Sequence, residues 1–227
     1  MNLAELRAEL EEDRAWREEE LRALQNRGAT IDDEVELNRY RRALVLLLYA
    51  HYEGFCRFAF VLYATAINRS GISCGEASWA IAAASLADLF RNLRNPEKKC
   101  DLFRRQLPDD SKLHQLARER EFVERTSEVE RRPVNIPDDI VDTESNLTPV
   151  VLRKNLFRLG LPYDQFQEHD RHINKLLGIR NGISHGSLKD GVEAKMYEQL
   201  RTATFAIMSG LGAGITKALS DKAYLRT

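Results

Sequence analysis

Apolar residues recur every three or four positions along most of the chain, and no stretch alternates apolar and polar residues over the length of a strand. This spacing places the apolar side chains on one face of a helix. The pattern therefore predicts an all-α fold in which helix follows helix.

The first two helices are predicted from their leucines and from the residues at their ends. A highly charged first helix carries a narrow leucine stripe and ends at Gly28, which is a candidate C-cap. Thr30, with Asp33 three residues later, resembles a capping box that opens a second helix running to about Asn68. Because large apolar residues are dense along it, we expect the second helix to be the central helix of the core.

The middle of the chain is less regular. Ser73 and Glu76 have the spacing of a capping box, and they predict an alanine-rich third helix that continues to about Leu93. Residues 97–140 are highly charged, and Pro133 and Pro137 bracket an extended piece there, so we expect an insertion with one or two short helices.

Three more helices are predicted in the C-terminal third. Thr148 and Pro149 form an N-cap and N1 pair that opens a helix through Leu159. Another helix is expected from about Tyr163 to the segment around residue 180. A last helix follows Gly191, with apolar residues at helical spacing.

Composition narrows the classes of partner. The formal net charge is -1, and 30% of the residues are charged with both signs mixed, so any attraction for nucleic acid must come from a local basic patch.

We expect a charged N-terminal helix over residues 1–28 and a helical domain over residues 29–227.

The cysteines and the most apolar helix indicate the cellular compartment in which the protein is expected. Three cysteines without metal-ligand spacing argue against a disulfide framework, and they predict a protein of the reducing cytoplasm. The segment Ala43–Ile67 is long enough to cross a membrane, but it contains His51, Glu53 and Arg57, which are costly in lipid. We therefore expect a buried core helix and no membrane partner.

The residues that predict chemistry are Arg180, Asn181 and His185. Arg180 falls on the apolar face of its helix, where an arginine is rarely unpaired, and His185 lies four residues after Asn181. Cleavage of RNA without metal needs a base for the 2′-hydroxyl and a cation for the phosphate, roles that suit histidine and arginine. Asn181 is positioned to orient either of them. Arg180 and His185, however, lie about 140° apart on an ideal helix.

A purely structural interpretation competes with this one. Arg180 would then pair with a carboxylate in the core, and His185 would cap the end of its helix. His51 and Glu53 interrupt the core stripe of the second helix, and Glu53 is a candidate partner of either Arg57 or Arg180. A carboxylate that orients Arg180 would satisfy both interpretations, so His51 and Glu53 are candidate supporting residues.

No metal or cofactor is expected. His169 and His172 lie three residues apart, but no third ligand is evident nearby. A phosphate-binding glycine-rich loop is also missing from the sequence.

Three stretches together resemble the HEPN superfamily, specifically its toxin-like branch related to RiboL-PSP type HEPN domains. They are LLLYAHYEGFCRFAF (46–60), DTESNLTPVVLRKNLFRLGL (142–161) and DRHINKLLGIRNGISHG (170–186). The last matches the family's R-x4-6-H signature through Arg180, Asn181 and His185.

The resemblance implies an antiparallel up-and-down helical bundle, here with an extra N-terminal helix and a long insertion. It also implies a homodimer in which two such motifs face one another, which would remove the 140° difficulty. Active members are metal-independent endoribonucleases, and many are toxins or defence effectors, so the resemblance implies an RNA substrate and a cognate antitoxin protein. Arg180 and His185 would be catalytic, with Asn181, His51 and Glu53 supporting. The alternatives are a non-catalytic module that binds nucleotide, RNA or protein, and a pure interaction subunit.

Overall fold

The computed structural model describes residues 2–101 and 110–226, and over these residues the protein is an all-α helical bundle. The predicted fold class is confirmed: the described part of the chain contains helices, turns and two isolated bridges but no strand. The α-helices within residues 2–101 and 110–226 are α1 (Leu3–Gly28), α2 (Glu34–Asn68), α3 (Trp79–Ser85), α4 (Ala87–Arg94), α5 (Ser111–Thr126), α6 (Pro149–Arg158), α7 (Asp170–Ser184) and α8 (Ala194–Ser220).

Helix α2 is the centre of the bundle and packs against α1, α7 and α8. Its buried side chains include Leu48, Tyr52, Phe55 and Phe60, all 1% exposed or less. Burial of such large apolar groups is the main driving force for the helix packing. The predicted role of α2 as the central core helix is confirmed.

By length and composition alone, α2 would also be able to cross a membrane. In its most apolar window, 56% of the residues are buried inside the fold. The core helix of a soluble protein passes the same test, so this finding is weak evidence for a membrane span.

Two predictions for the ends of α1 and α2 are wrong. Gly28 is the last residue of α1 and Ala29 is its C-cap, because the Ala29 N–H still donates to the Gln25 carbonyl. A glycine is needed at position 28 for packing, since a Cβ there would lie 2.8 Å from the ring of Tyr40. Asp33, and not Thr30, caps α2, because its carboxylate accepts hydrogen bonds from the backbone N–H groups of Val35 and Glu36. The end of α2 at Asn68 agrees with the prediction.

The predicted third helix is shorter and is divided. Ser73 and Glu76 form a turn outside any helix, in which the Glu76 carboxylate accepts from the Ser73 backbone N–H and hydroxyl, each at 2.8 Å. Ser78 precedes the first helical turn, and the helix breaks at Leu86 into α3 and α4. The sequence has the spacing of a capping box, but no helix follows directly. The backbone N–H of Ala77 donates to the Ser73 carbonyl, and Ala77 then forms a bridge with Leu225 near the C-terminus.

The region predicted as an insertion contains α5 and two short 3-10 turns, at Val129–Arg131 and Asp138–Ile140. Part of that prediction, residues 102–109, lies outside the described residues. Helix α5 packs on α4.

The elements that carry the candidate site are α6 and α7. Thr148 caps α6 by accepting from the Val151 N–H, and Pro149 occupies its first turn, as predicted. Helix α7 begins at Asp170, later than predicted, because a 3-10 turn at Gln167–His169 precedes it.

Candidate functional site

The candidate site lies where the C-terminal end of α7 meets α2 and the turn before α6. Arg180 is half-buried near the end of α7, and its guanidinium lies over the ring of Tyr49 from α2, 4.9 Å from the ring centroid. A guanidinium in this position gains from the negative face of the aromatic ring. Tyr49 and α2 therefore form one wall of the site.

Two amide side chains hold the Arg180 guanidinium. Its Nη1 donates to Asn181 Oδ1 at 2.8 Å and to Asn146 Oδ1 at 3.2 Å. Within residues 2–101 and 110–226, no carboxylate forms an ion pair with Arg180, so the partner proposed by the purely structural interpretation is not seen there. Amide oxygens orient an arginine without cancelling its charge, and such a cation can bind a phosphate oxygen.

The turn before α6 brings Asn146 to Arg180. Glu144 and Ser145 both have left-handed backbone conformations, with φ of 49° and 65°. Such conformations are uncommon for residues other than glycine and cluster at functional sites. The backbone N–H of Leu147, directly after Asn146, donates to the Tyr49 hydroxyl at 3.0 Å. This bond fixes the turn against α2 beside the guanidinium.

Tyr49 is neutral in this arrangement. Burial raises its pKa to about 12, even though the Leu147 N–H and the Arg180 charge both act to lower it. The Glu53 carboxylate, one turn further along α2, also raises the Tyr49 pKa. Glu53 therefore lies on the Tyr49 side of the site, although its carboxylate forms no ion pair with Arg180 or Arg57 in the described parts of the chain.

His185 sits at the C-cap of α7, and its side chain is exposed. Its backbone N–H donates to Asn181 O at 2.9 Å, and Gly186 follows with a φ of 71°. This is a common way to end a helix, because glycine adopts left-handed conformations at little cost. The expectation that His185 caps a helix is therefore correct for its backbone, while its imidazole remains accessible to a ligand.

The loop after His185 is tied to α2. Arg42 donates to the Lys189 carbonyl at 2.6 Å, and the Val192 N–H donates to the Asn38 carbonyl at 2.8 Å. Gly191 lies against Asn38 so closely that a Cβ would be 2.4 Å from the Asn38 Cβ. These contacts fix the chain that leaves the end of α7.

Within one copy of the chain, Arg180 and His185 do not touch. Over the described residues no hydrogen bond or ion pair joins them, in keeping with their separation of about 140° around the helix. The arrangement therefore presents an unneutralised cation and an accessible imidazole near the same helix end.

His51 lies elsewhere. It is 4% exposed and faces α1, where its Nε2 is 2.9 Å from a Glu20 carboxylate oxygen and its ring meets the edge of Trp16. Arg17 lies on the same side, with its Nη1 2.7 Å from the position of a Gly54 Cβ, so this glycine permits a close approach of α1 to α2. The structure does not bring His51 to Arg180.

Asn146 and Tyr49 were not identified from the sequence as site residues. Both fall inside stretches that carry the family resemblance, 142–161 and 46–60, which was the available signal. Neither has spacing that points to Arg180, because Tyr49 is separated from it by more than a hundred residues.

In the portion of the chain that the structure covers, no group of three or more histidine, cysteine, aspartate or glutamate side chains is arranged to hold a metal ion. His169 instead lies 3.3 Å from its neighbour Glu168.

A family model described as HEPN_MAE_28990-like HEPN matches residues 6–224 of the chain. The comparisons with curated proteins and with solved structures give no match. The matched range covers nearly the whole chain, from α1 to the segment after α8, and it includes every residue of the site described above.

Proposed function

The chain belongs to the HEPN family, as the match over residues 6–224 shows, and from this premise we propose that it is a metal-independent endoribonuclease. HEPN domains are in general ribonucleases or nucleotide-binding modules. The predicted membership of the superfamily is confirmed, whereas the narrower RiboL-PSP branch stays a prediction.

One observation carries the proposal: Arg180 has no carboxylate partner in the described residues, and an accessible His185 lies at the same end of α7. The Arg180 guanidinium is held by the amides of Asn146 and Asn181. An arginine whose function is only structural is usually paired with a carboxylate in the fold, because a partly buried unpaired charge is costly. A set of neutral acceptors that orients the cation without neutralising it leaves it able to bind an anion from outside, such as a phosphate group.

The proposed reaction transfers the phosphate within the RNA strand. The 2′-hydroxyl loses its proton to a base and attacks the adjacent phosphorus, the bond from phosphorus to the 5′-oxygen breaks, and that oxygen takes up a proton. The products are a 2′,3′-cyclic phosphate and a 5′-hydroxyl. His185 acts as base or acid, and Arg180 stabilises the negative charge that develops on the phosphate oxygens.

A second copy of the chain is part of the proposal. One imidazole cannot readily remove a proton on one side of the phosphorus and supply one on the other. His185 of the partner subunit would serve as the second proton-transfer group in a composite site. We propose a homodimer of cytoplasmic location, acting as a toxin or defence effector and controlled by an antitoxin protein.

The test uses the purified chain with a fluorescent RNA and the DNA of the same sequence, in the presence of a metal chelator. The wild type is expected to cleave the RNA and leave the DNA intact, because DNA lacks the 2′-hydroxyl. Arg180→Ala and His185→Ala should each lose at least about a hundredfold in rate. His169→Ala, at the other end of α7, is the matched control and should retain the wild-type rate. Equal cleavage by wild type, Arg180→Ala and His185→Ala would contradict the assigned site.

The separation of Arg180 and His185 within one copy favours a second candidate function, a non-catalytic module that binds RNA or nucleotide. In that case the wild type binds RNA without turnover, and Arg180→Ala lowers the affinity while His185→Ala leaves it unchanged. The same two variants therefore distinguish the candidates.

A further inference from the structure

Helix α6 starts at the candidate site and leads away from it. Asn146, which holds Arg180, lies just before the first turn of α6, and Phe157 lies near its last turn. Phe157 lies eight residues after Pro149, the first residue of α6, so at 1.5 Å per residue it lies about 12 Å along the helix from its start. Any strand bound at Arg180 that follows α6 would thus reach Phe157.

Exposed aromatic side chains lie at the far end of this helix. Phe157 is 68% exposed and Tyr163 is 55% exposed, and their ring centroids are 6.2 Å apart. Trp79, at the start of α3, is 74% exposed. The position of a Gly160 Cβ would be 3.2 Å from Ala80, so the start of α3 lies next to the turn that joins Phe157 to Tyr163. We call Trp79, Phe157 and Tyr163 the aromatic surface.

Positive charge accompanies the aromatic surface. Arg153 and Lys154 of α6 are paired with the carboxylates of Asp170 and Glu144, but two arginines next to the aromatic surface have no carboxylate partner in the described residues. Arg158 donates to the Ile140 carbonyl, and Arg226 stacks on Trp79 at 3.8 Å while donating to the carbonyls of Cys74 and Ala77. Carbonyl acceptors are neutral, so both arginines keep their charge.

Exposed rings beside unneutralised arginines are the features by which proteins bind single-stranded nucleic acid. The bases stack on the rings and the phosphates meet the cations. A protein partner would also cover apolar rings, but it would not account for the two unneutralised arginines beside them. Charge complementarity therefore favours a polyanion as the occupant.

We propose that the aromatic surface binds the bases of single-stranded RNA that extends along α6 from the Arg180 site. This inference rests on the proposed function, since it concerns the substrate of the same site. The expected substrate is an unpaired RNA strand that is long enough to reach from Asn146 to Phe157. Double-stranded RNA would not expose its bases to these rings.

The test measures binding separately from cleavage. The probe is a fluorescent 2′-O-methyl RNA of twelve nucleotides, which has no free 2′-hydroxyl and is not cut by the proposed reaction. Binding to the full chain is followed by fluorescence anisotropy. The double variant Phe157→Ala with Tyr163→Ala should weaken binding by about tenfold or more, as expected for lost base stacking. Leu116→Ala with Val123→Ala removes similarly exposed apolar groups from α5 and should bind like the wild type.

Conservative replacements distinguish stacking from general apolar contact. Phe157→Trp should retain affinity, whereas Phe157→Leu should lose most of what the alanine variant loses. A dinucleotide probe, too short to span α6, should bind the wild type and the double variant equally. Thermal unfolding followed by circular dichroism checks that each variant is folded.

Two results would overturn the inference. One is unchanged affinity of the double variant for the twelve-nucleotide probe. The other is a double variant that changes the molecular mass in light scattering but not the RNA affinity, which would assign the aromatic surface to contacts between copies. If the wild type binds the probe but cleaves no RNA, the proposed function fails while the binding result for the aromatic surface still stands.

Discussion

Replacement of Asn146 by aspartate would test whether the charge of Arg180 is kept for a ligand. The amide oxygen of Asn146 accepts from Arg180 Nη1 at 3.2 Å, and aspartate has nearly the same shape. The introduced carboxylate would therefore form an ion pair with the guanidinium in the same geometry. The backbone bonds of the turn, including that from Thr148 N–H to the Asn146 carbonyl, would be retained.

The expected loss of RNA affinity follows from the added negative charge. A carboxylate about 6 Å from a phosphate charge costs roughly 3 kcal/mol at an effective dielectric constant near 20. Because Asn146 is half-buried, solvent and salt reduce this cost, and we expect a loss of about tenfold to a hundredfold in affinity. The free energy of unfolding should stay within about 1 kcal/mol of the wild-type value or rise, since an ion pair replaces a neutral acceptor.

The assay compares Asn146→Asp with Asn146→Ala in both RNA binding and cleavage. The alanine variant removes one of two amide acceptors without adding charge, so its loss should be smaller, corresponding to about 1 kcal/mol for one hydrogen bond. Urea unfolding of both variants provides the stability control. Wild-type binding and cleavage by Asn146→Asp would refute the reasoning, because a neutralised Arg180 would then be as effective as a charged one. Equal losses in the two variants would assign Asn146 a geometric role only.

Two further predictions concern the fold around the site. Gly191→Ala should lower the free energy of unfolding by about 1 to 3 kcal/mol, because its Cβ would lie 2.4 Å from the Asn38 Cβ and 2.6 Å from the Asn38 backbone carbon, which cannot move apart from α2. Gly178→Ala, at a helical glycine with open space around it, should raise that free energy by up to about 1 kcal/mol. Urea unfolding measures both, and equal effects would contradict the packing argument. Burial has the largest effect on the His51 pKa and lowers it, although the Glu20 carboxylate acts to raise it. The imidazole of His51 therefore takes up a proton more readily in the unfolded chain than in the folded one. The free energy of unfolding should therefore fall as the pH drops from about 7.5 to about 5, and His51→Gln should show a smaller fall in urea unfolding at those pH values; identical pH dependence of the two proteins would show that the argument is wrong.

The sequence by itself determined the central helix, the last helix, the start of α6 and the candidate motif. Apolar spacing fixed α2 and α8, and Thr148 with Pro149 fixed the start of α6, because these signals act between residues within one or two helical turns. Where a nearby residue competed for the same role, the prediction failed, as with Asp33 and Thr30 at the start of α2. The resemblance and the motif together sufficed to predict the family.

Only the tertiary structure decided what surrounds Arg180. The sequence suggested a carboxylate such as Glu53 as its partner, but the packed helices bring it Tyr49 and Asn146 instead, from elements distant along the chain. His51 likewise pairs with Glu20 on α1 and not with the site. The spacing of residues within a helix determines which of them share a face. Which faces then meet is determined by the helix crossings and the connecting turns, and these crossings and turns depend on the packing of the whole core.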